Sequence, residues 1–228
     1  MPKKTLAITM LCSALLLSSV LAPQTAETAH AETVYTTLKI GSSNSQVSNL
    51  QSNLKTLGYF TYPTITGYYG TITAQAVTDF QKAYSLSATG TTDAATQTAV
   101  AHALVKKSIV QDSTNYLKIP YRWGGSSPST GFDCSGFVYY MFTSHGVSMS
   151  RTTSAELYGQ GTAISQSRLQ PGDLVFFAVS TPGTVDHVGI YLGNGQFISP
   201  LRSAGVYVQS MVNNSYWTPK YLGARRIY

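Results

Sequence analysis

Apolar residues between positions 38 and 104 recur at helical spacing. Val47, Leu50, Leu54 and Leu57 stand at i, i+3, i+7 and i+10, behind a Ser43-x-x-Gln46 capping box and ahead of Gly58, which predicts a first helix. Val77, Phe80 and Tyr84 repeat the stripe after Thr71-Ile72-Thr73, and Val100 and Leu104 close a third helix begun near Thr92-Asp93. Residues 36–104 therefore read as a small three-helix domain. Beyond it the period changes. Phe137, Val138, Met141 and Phe142 mark one more helix, ended by Gly146, and then β-type runs take over. Residues 174–179 are continuously apolar behind Pro171-Gly172-Asp173, and Val188, Ile190 and Leu192 alternate with Gly189 and Tyr191. Gly193-Asn194-Gly195 then predicts a three-residue hairpin loop, a type I turn with a bulge, that sets Leu192 opposite Gln196 and Gly189 opposite Ser199. One helix followed by antiparallel strands makes residues 115–228 an α+β domain. Between the two domains, 105–114 is short and polar, a linker that serves as a hinge or as the lead-in helix of the second domain.

The start of the chain reads as a removable address. Lys3 and Lys4 precede an apolar run over 6–21, and Ala29-His30-Ala31 supplies a small-x-small cleavage pattern, so a secretory signal is expected over 1–31. Thr5, Thr9, Ser13, Ser18 and Ser19 dilute the run, which argues against a retained anchor, and no later segment is long enough to span a bilayer. Cys12 leaves with the signal. The mature chain then holds a single cysteine and no internal disulfide, which for an exported protein implies a core that is stable unaided. Leaving out Lys3, Lys4 and Glu27 takes 15 basic and 9 acidic residues to 13 and 8, a net +5 that suits either attraction to an anionic envelope or plain solubility. Nucleic-acid motifs are absent from the sequence.

That lone cysteine carries the candidate chemistry. Gly131-Phe132-Asp133 reads as a turn leading into the helix, with Asp133 as N-cap and Cys134 as first helical residue. A thiol of ordinary pKa, about 8.5, needs help to ionise, and a helix N-terminus and an imidazole both supply it. His187 follows 53 residues later on a strand-like run. No cofactor or metal is needed for thiol chemistry. His145 and His102 read as surface or capping residues.

The blocks around these residues add a resemblance. Tyr121-Arg122-Trp123-Gly124-Gly125, Phe132-Asp133-Cys134-Ser135-Gly136-Phe137-Val138, Ser150-Arg151-Thr152, Gln170-Pro171-Gly172-Asp173-Leu174-Val175-Phe176-Phe177 and His187-Val188-Gly189-Ile190-Tyr191-Leu192-Gly193 resemble the NlpC family of cell-wall cysteine endopeptidases across 115–228. Val47-x-x-Leu50-Gln51-x-x-Leu54-x-x-Leu57-Gly58-Tyr59, Gly67 to Gly70, Thr73-x-x-Ala76-Val77-x-x-Phe80-Gln81 and Gly90 are similar to the common N-terminal peptidoglycan-binding domain. The resemblance implies a papain-like fold, with the helix bearing Cys134 packed on the sheet bearing His187. It further implies a secreted, wall-associated hydrolase of stem peptides, most often between D-γ-glutamate and the following diamino acid. Cys134 becomes the nucleophile and His187 the base. Tyr121 takes the place of a tyrosine that binds substrate or oxyanion, and Asp133 that of a carboxylate meeting the free amine of the stem. Arg151 either pairs with a substrate carboxylate or holds structure, and Ser135 either faces substrate or caps.

One position departs from the family pattern. The third member of its constellation is usually histidine, sometimes asparagine or glutamine, 12 residues after the first histidine, where this chain has Ser199. As diagonal cross-strand neighbours, His187 and Ser199 are expected to meet through a water. Two other functions stay open: a non-catalytic wall-binding protein retaining the fold, and a thiol acyltransferase or amidase acting on another substrate.

Overall fold

The computed structural model describes residues 36–228, so the expected signal at 1–31 lies outside the described residues. Three helices come first: α1 (Ser45–Thr56), α2 (Thr71–Ala83) and α3 (Ala94–Ser113). The stripes read from the sequence are their common core, with Val47, Leu50, Leu54, Val77, Phe80 and Val100 buried against Phe60 and Tyr69. The start of α1 differs from the expected capping box. Asn44 is the N-cap, its Oδ1 accepting the Val47 N–H at 3.1 Å, because Ser43 is held extended in a bridge to Tyr68 one residue too early to cap. α3 begins as expected at Asp93, whose Oδ1 accepts the Thr96 N–H at 2.8 Å.

Of the expected linker 105–114, open to reading as a hinge or as a lead-in helix, residues 105–113 are helical and continue α3 without a break. Val100 and Ala103 lie in the helical core, while Ile109, two turns further, is buried in the core of the second domain. A helix with an apolar contact at each end has no reason to break, and polar residues such as Lys106 find partners at the junction. Lys106 is fully buried, its Nζ 3.3 Å from Asp173 Oδ1, and Arg226 grips the same carboxylate through Nε at 2.9 Å and Nη2 at 2.8 Å. The Tyr84 ring at the end of α2 lies under both cations, 4.7 Å from Arg226 and 5.2 Å from Lys106. His102, expected at the surface, is half-buried and stacks on Tyr228 at 3.9 Å.

In the second domain a short ribbon of β1 (Ser126–Ser127) and β2 (Gly131–Phe132) precedes α4 (Cys134–Ser144) and α5 (Ser154–Tyr158). The rest is an antiparallel sheet of β3 (Thr162–Ile164), β4 (Leu174–Phe177), β5 (His187–Gly193), β6 (Gln196–Leu201), β7 (Gly205–Ser210) and β8 (Tyr221–Arg226), in the order β3-β8-β4-β5-β6-β7. Phe137, Met141 and Phe142 of α4 pack on Phe176, Val188, Ile190 and Ile198, and Phe177, Phe197 and Trp217 form a second cluster. Each of these aromatic side chains contributes on the order of 2–3 kcal/mol through burial. This is the α+β arrangement read from the sequence.

The hairpin between β5 and β6 is tighter than predicted. Asn194 and Gly195, at φ 52° and 71°, form a two-residue loop, and Gly193 rather than Leu192 pairs with Gln196. An irregularity between Tyr191 and Gly193 takes up the extra residue. Ile190 therefore still pairs with Ile198, and the register carried one step further sets Gly189 opposite Ser199 as expected.

Candidate active site

The start of α4 is fixed by an unusually close backbone approach. A side chain at Gly136 would stand 2.0 Å from the Gly125 carbonyl oxygen, so only glycine lets the first turn of α4 seat against the 121–125 loop. Asp133 completes the seat. Its Oδ1 accepts the Gly136 N–H at 2.6 Å, capping the helix as expected, and its Oδ2 accepts the Gly124 N–H at 2.8 Å. Arg151 closes on the same carboxylate through Nη2 at 2.7 and 2.6 Å, and its Nη1 donates to Ser135 Oγ at 2.7 Å. Arg151, bonded in this way to Asp133 and Ser135, also lines the cleft described below. Ser135 is likewise buried in this network.

Cys134 is thereby presented at the helix start against the first residues of β5, with the backbone N–H of Val188 near its sulfur. Burial pushes the thiol up to about 11, against the pull of the Val188 N–H, and the Asp133 charge adds to the rise while the N–H groups of Ser135 and Cys134 itself oppose it. Removal from water thus outweighs the backbone donors at this sulfur. His187 is buried beside it. Burial lowers its imidazole to about 4, with Asp186 opposing. The resting pair is a neutral thiol and a neutral imidazole.

His187 is held on three sides. Its ring lies 5.4 Å from that of Trp217 and 6.3 Å from that of Phe177. Nε2 is 2.8 Å from Ser199 Oγ, a direct hydrogen bond where a bridging water was expected. The sheet's twist brings diagonal neighbours nearer on one side, and the imidazole is long enough to close the remaining gap. Nδ1 has no hydrogen-bond partner among the described residues and is the ring nitrogen left for the cleft.

Around the pair opens a cleft of about 1240 Å³ that brings together Tyr121, Asp133, Cys134, Ser135, Arg151 and His187. The fully buried Ser199 stands behind His187. Tyr121 is half-buried, its phenol pKa raised by burial and then by the neighbouring Cys134. The cleft also holds residues that the sequence reading did not assign. Arg202, in the turn between β6 and β7, places its guanidinium 5.5 Å from the Tyr121 ring and 5.9 Å from that of Trp123, which is 80% exposed at the mouth. Asp186 accepts the N–H groups of Val179 and Ser180, both at 2.6 Å, which ends β4 at Phe177 instead of at 179 and builds one wall. Gln209 of β7 donates to Ser199 Oγ at 3.2 Å. A lone buried polar residue on a strand is the only sequence signal that could have marked it.

Residues 118–226 match the model of the NlpC/P60 family, and residues 43–100 match that of a putative peptidoglycan binding domain. The chain is 47% identical over 110 residues to the murein DD-endopeptidase MepH of Escherichia coli, covering 47% of this chain and 41% of that protein. It is 38% identical to the gamma-DL-glutamyl hydrolase of Bacillus subtilis over 52% of this chain and 29% of that one, so it spans well under half the length of these curated relatives. A crystal structure of an NlpC/P60 family protein from Bacillus cereus is similar at 35% identity and a TM-score of 0.49, covering 54% of this chain and 40% of that one. The second domain, which seats Cys134 and His187 in one cleft, is an NlpC/P60 domain, and the first is a putative peptidoglycan binding domain.

Proposed function

We propose that this protein is a secreted, wall-associated cysteine endopeptidase that hydrolyses peptidoglycan stem peptides, at the D-γ-glutamyl–diamino acid bond. The observation that carries the reading is a thiol at a helix start, beside an imidazole whose Nε2 is tethered to Ser199, in an open cleft lined by both. Nδ1 takes the proton from Cys134 as the sulfur attacks the amide carbonyl, and the C–S bond forms. The oxyanion is met by the Cys134 backbone N–H and the Tyr121 hydroxyl. Collapse breaks the C–N bond, and the imidazolium gives its proton to the departing amine. Water, deprotonated by His187, then attacks the thioester, and the C–S bond breaks to release acid and thiol. Because the resting pair is neutral, proton transfer waits for substrate, which displaces water and places the developing charges next to each other. No metal or cofactor takes part.

Asp133 already accepts from two backbone N–H groups and Arg151, so it offers a stem amine a shared rather than a free carboxylate. The helical domain, 36–104, supplies attachment to the glycan wall, and among the described residues no helix is long and apolar enough to cross a membrane. Digestion of purified cross-linked muropeptides tests the bond. Products shortened within the stem and bearing a new amine on the diamino acid support the assignment. Conversion of dimers into intact monomers reassigns the protein to cutting the cross-link instead of the stem.

A further inference from the structure

Ser199 is fully buried and has two partners among the described residues, His187 Nε2 at 2.8 Å and Gln209 Nε2 at 3.2 Å. Gln209 lies on β7, where Phe197 pairs with Gln209 and Ser199 with Tyr207, so its side chain reaches Ser199 along a diagonal. Its nitrogen also contacts the Tyr207 carbonyl at 3.4 Å, and its Oε1 is buried with no partner. A serine hydroxyl has one proton to give. With the amide nitrogen turned toward Ser199, the hydroxyl proton has only His187 Nε2 as an acceptor among the described contacts, and satisfying it puts the ring's own hydrogen on Nδ1. An imidazole in that tautomer cannot accept the proton of Cys134. A half-turn of the amide puts Oε1 against the hydroxyl instead. The chain then runs from His187 Nε2–H to Ser199 Oγ and from Ser199 O–H to Gln209 Oε1, and Nδ1 is bare. The half-turn exchanges one unpartnered amide atom for the other and sets Oε1 where the nitrogen faced the Tyr207 carbonyl at 3.4 Å, a cost that the bond accepted from the Ser199 hydroxyl offsets.

We propose that Gln209 is a positioning residue that sets the tautomer of His187 through Ser199, restoring from the neighbouring strand the amide acceptor that position 199 lacks. The inference rests on the reading of His187 as the general base. It explains a buried amide whose oxygen has no partner in the resting arrangement, and why a hydroxyl too short to act alone suffices at position 199.

The test reads the ring nitrogens directly. In the Cys134→Ala protein labelled with 15N-histidine, long-range proton–nitrogen correlations at neutral pH distinguish a protonated from a bare ring nitrogen. The proposal expects Nε2–H with Gln209 present. Gln209→Met leaves Ser199 no acceptor but the ring and converts His187 to Nδ1–H, whereas Gln209→Glu, read at a pH where its carboxylate is ionised and so only accepts, keeps Nε2–H. In the protein with Cys134 intact, Gln209→Met lowers kcat on the order of tenfold with little change in KM, and Gln209→Glu restores it with the acidic limb of the pH profile moved upward. A merely packing glutamine is replaced well by methionine and poorly by a buried glutamate, the reverse order. Nδ1–H with Gln209 present, or an Nε2–H signal indifferent to Gln209→Met, overturns the proposal. Should Gln209→Met fail to fold, loss of Nε2–H in Gln209→Glu does so equally. The tautomer is read without turnover, so a chain that behaves this way yet cuts no muropeptide leaves this inference standing and removes the proposed function.

Discussion

Buried glutamines in the two domains are treated in opposite ways. In the helical domain Gln51 donates to Thr66 Oγ1, Tyr68 O and Thr73 Oγ1 at 3.2, 2.9 and 2.9 Å and accepts the N–H groups of Thr66 and Gly67 at 3.0 and 3.1 Å. One helix later Gln81 repeats the pattern on Thr89, Thr91, Thr96 and Gly90. Each amide ties the loop that follows its helix to the start of the next, so the domain is one helix–loop unit used twice. Gln209 in the sheet has a carbonyl oxygen with no partner. A saturated buried amide has one favourable orientation and holds structure, while an unsaturated one can turn over, and a proton pathway needs that freedom.

The contrast is sharpest in stability. Replacing Gln51 by leucine strands the backbone N–H groups of Thr66 and Gly67 and removes the donor to the Thr73 hydroxyl, so Gln51→Leu is expected to lower the unfolding free energy by about 4 kcal/mol, read from urea titration, while turnover of small soluble stem peptides is kept below the unfolding transition. Gln209→Met is expected to cost under about 1 kcal/mol in the same titration. Equal losses would erase the distinction between the two kinds of amide.

Acid separates the regions next. An unfolded histidine binds its proton near 6.5, whereas burial holds His187 at about 4, so between these values the unfolded chain carries more protons. Stability therefore falls as pH drops through that window, by up to about 3 kcal/mol from this one group. In His187→Gln that part of the slope should vanish while the remaining acid loss from carboxylates stays, a difference measurable by urea titration from neutral pH to pH ~4. An unchanged slope would show that the imidazole is not desolvated as the structure has it.

The effect at Ser199 is on turnover and follows the pH-dependent loss in size. Its direct bond to His187 makes the expected loss in Ser199→Ala about thirtyfold in kcat/KM, or roughly 2 kcal/mol, larger than a water-bridged contact would give. A loss under twofold would mean that Trp217 and Phe177 alone orient the ring.

These residues also mark how far the sequence could be read. Helices α1 to α4, the Asp133 cap and the β5–β6 register were legible because each rests on a local period, a cap or a turn within a dozen residues. The register survived a wrong loop type because the irregularity at Leu192 absorbed the shortened turn. Local patterns did not show the pairing of Arg151 with Asp133, 18 positions apart, the Lys106–Asp173–Arg226 cluster at the junction, or Gln209 behind Ser199. Alternation in β7 puts Tyr207 and Gln209 on one face, but which partner that face meets depends on the pairing of β6 with β7. The polar character of 105–114 left hinge and helix both open for the same reason, since Lys106 gains its partner 67 residues away.

The central claim is that Cys134 performs the cleavage, and it is tested most directly by incubating wild-type and Cys134→Ala protein with the same purified muropeptides and weighing the products. The account predicts a new free amine and its matching acyl fragment from the wild type, abolished by iodoacetamide and indifferent to chelators, and neither fragment from the variant. Fragments released by Cys134→Ala at the wild-type rate would contradict it.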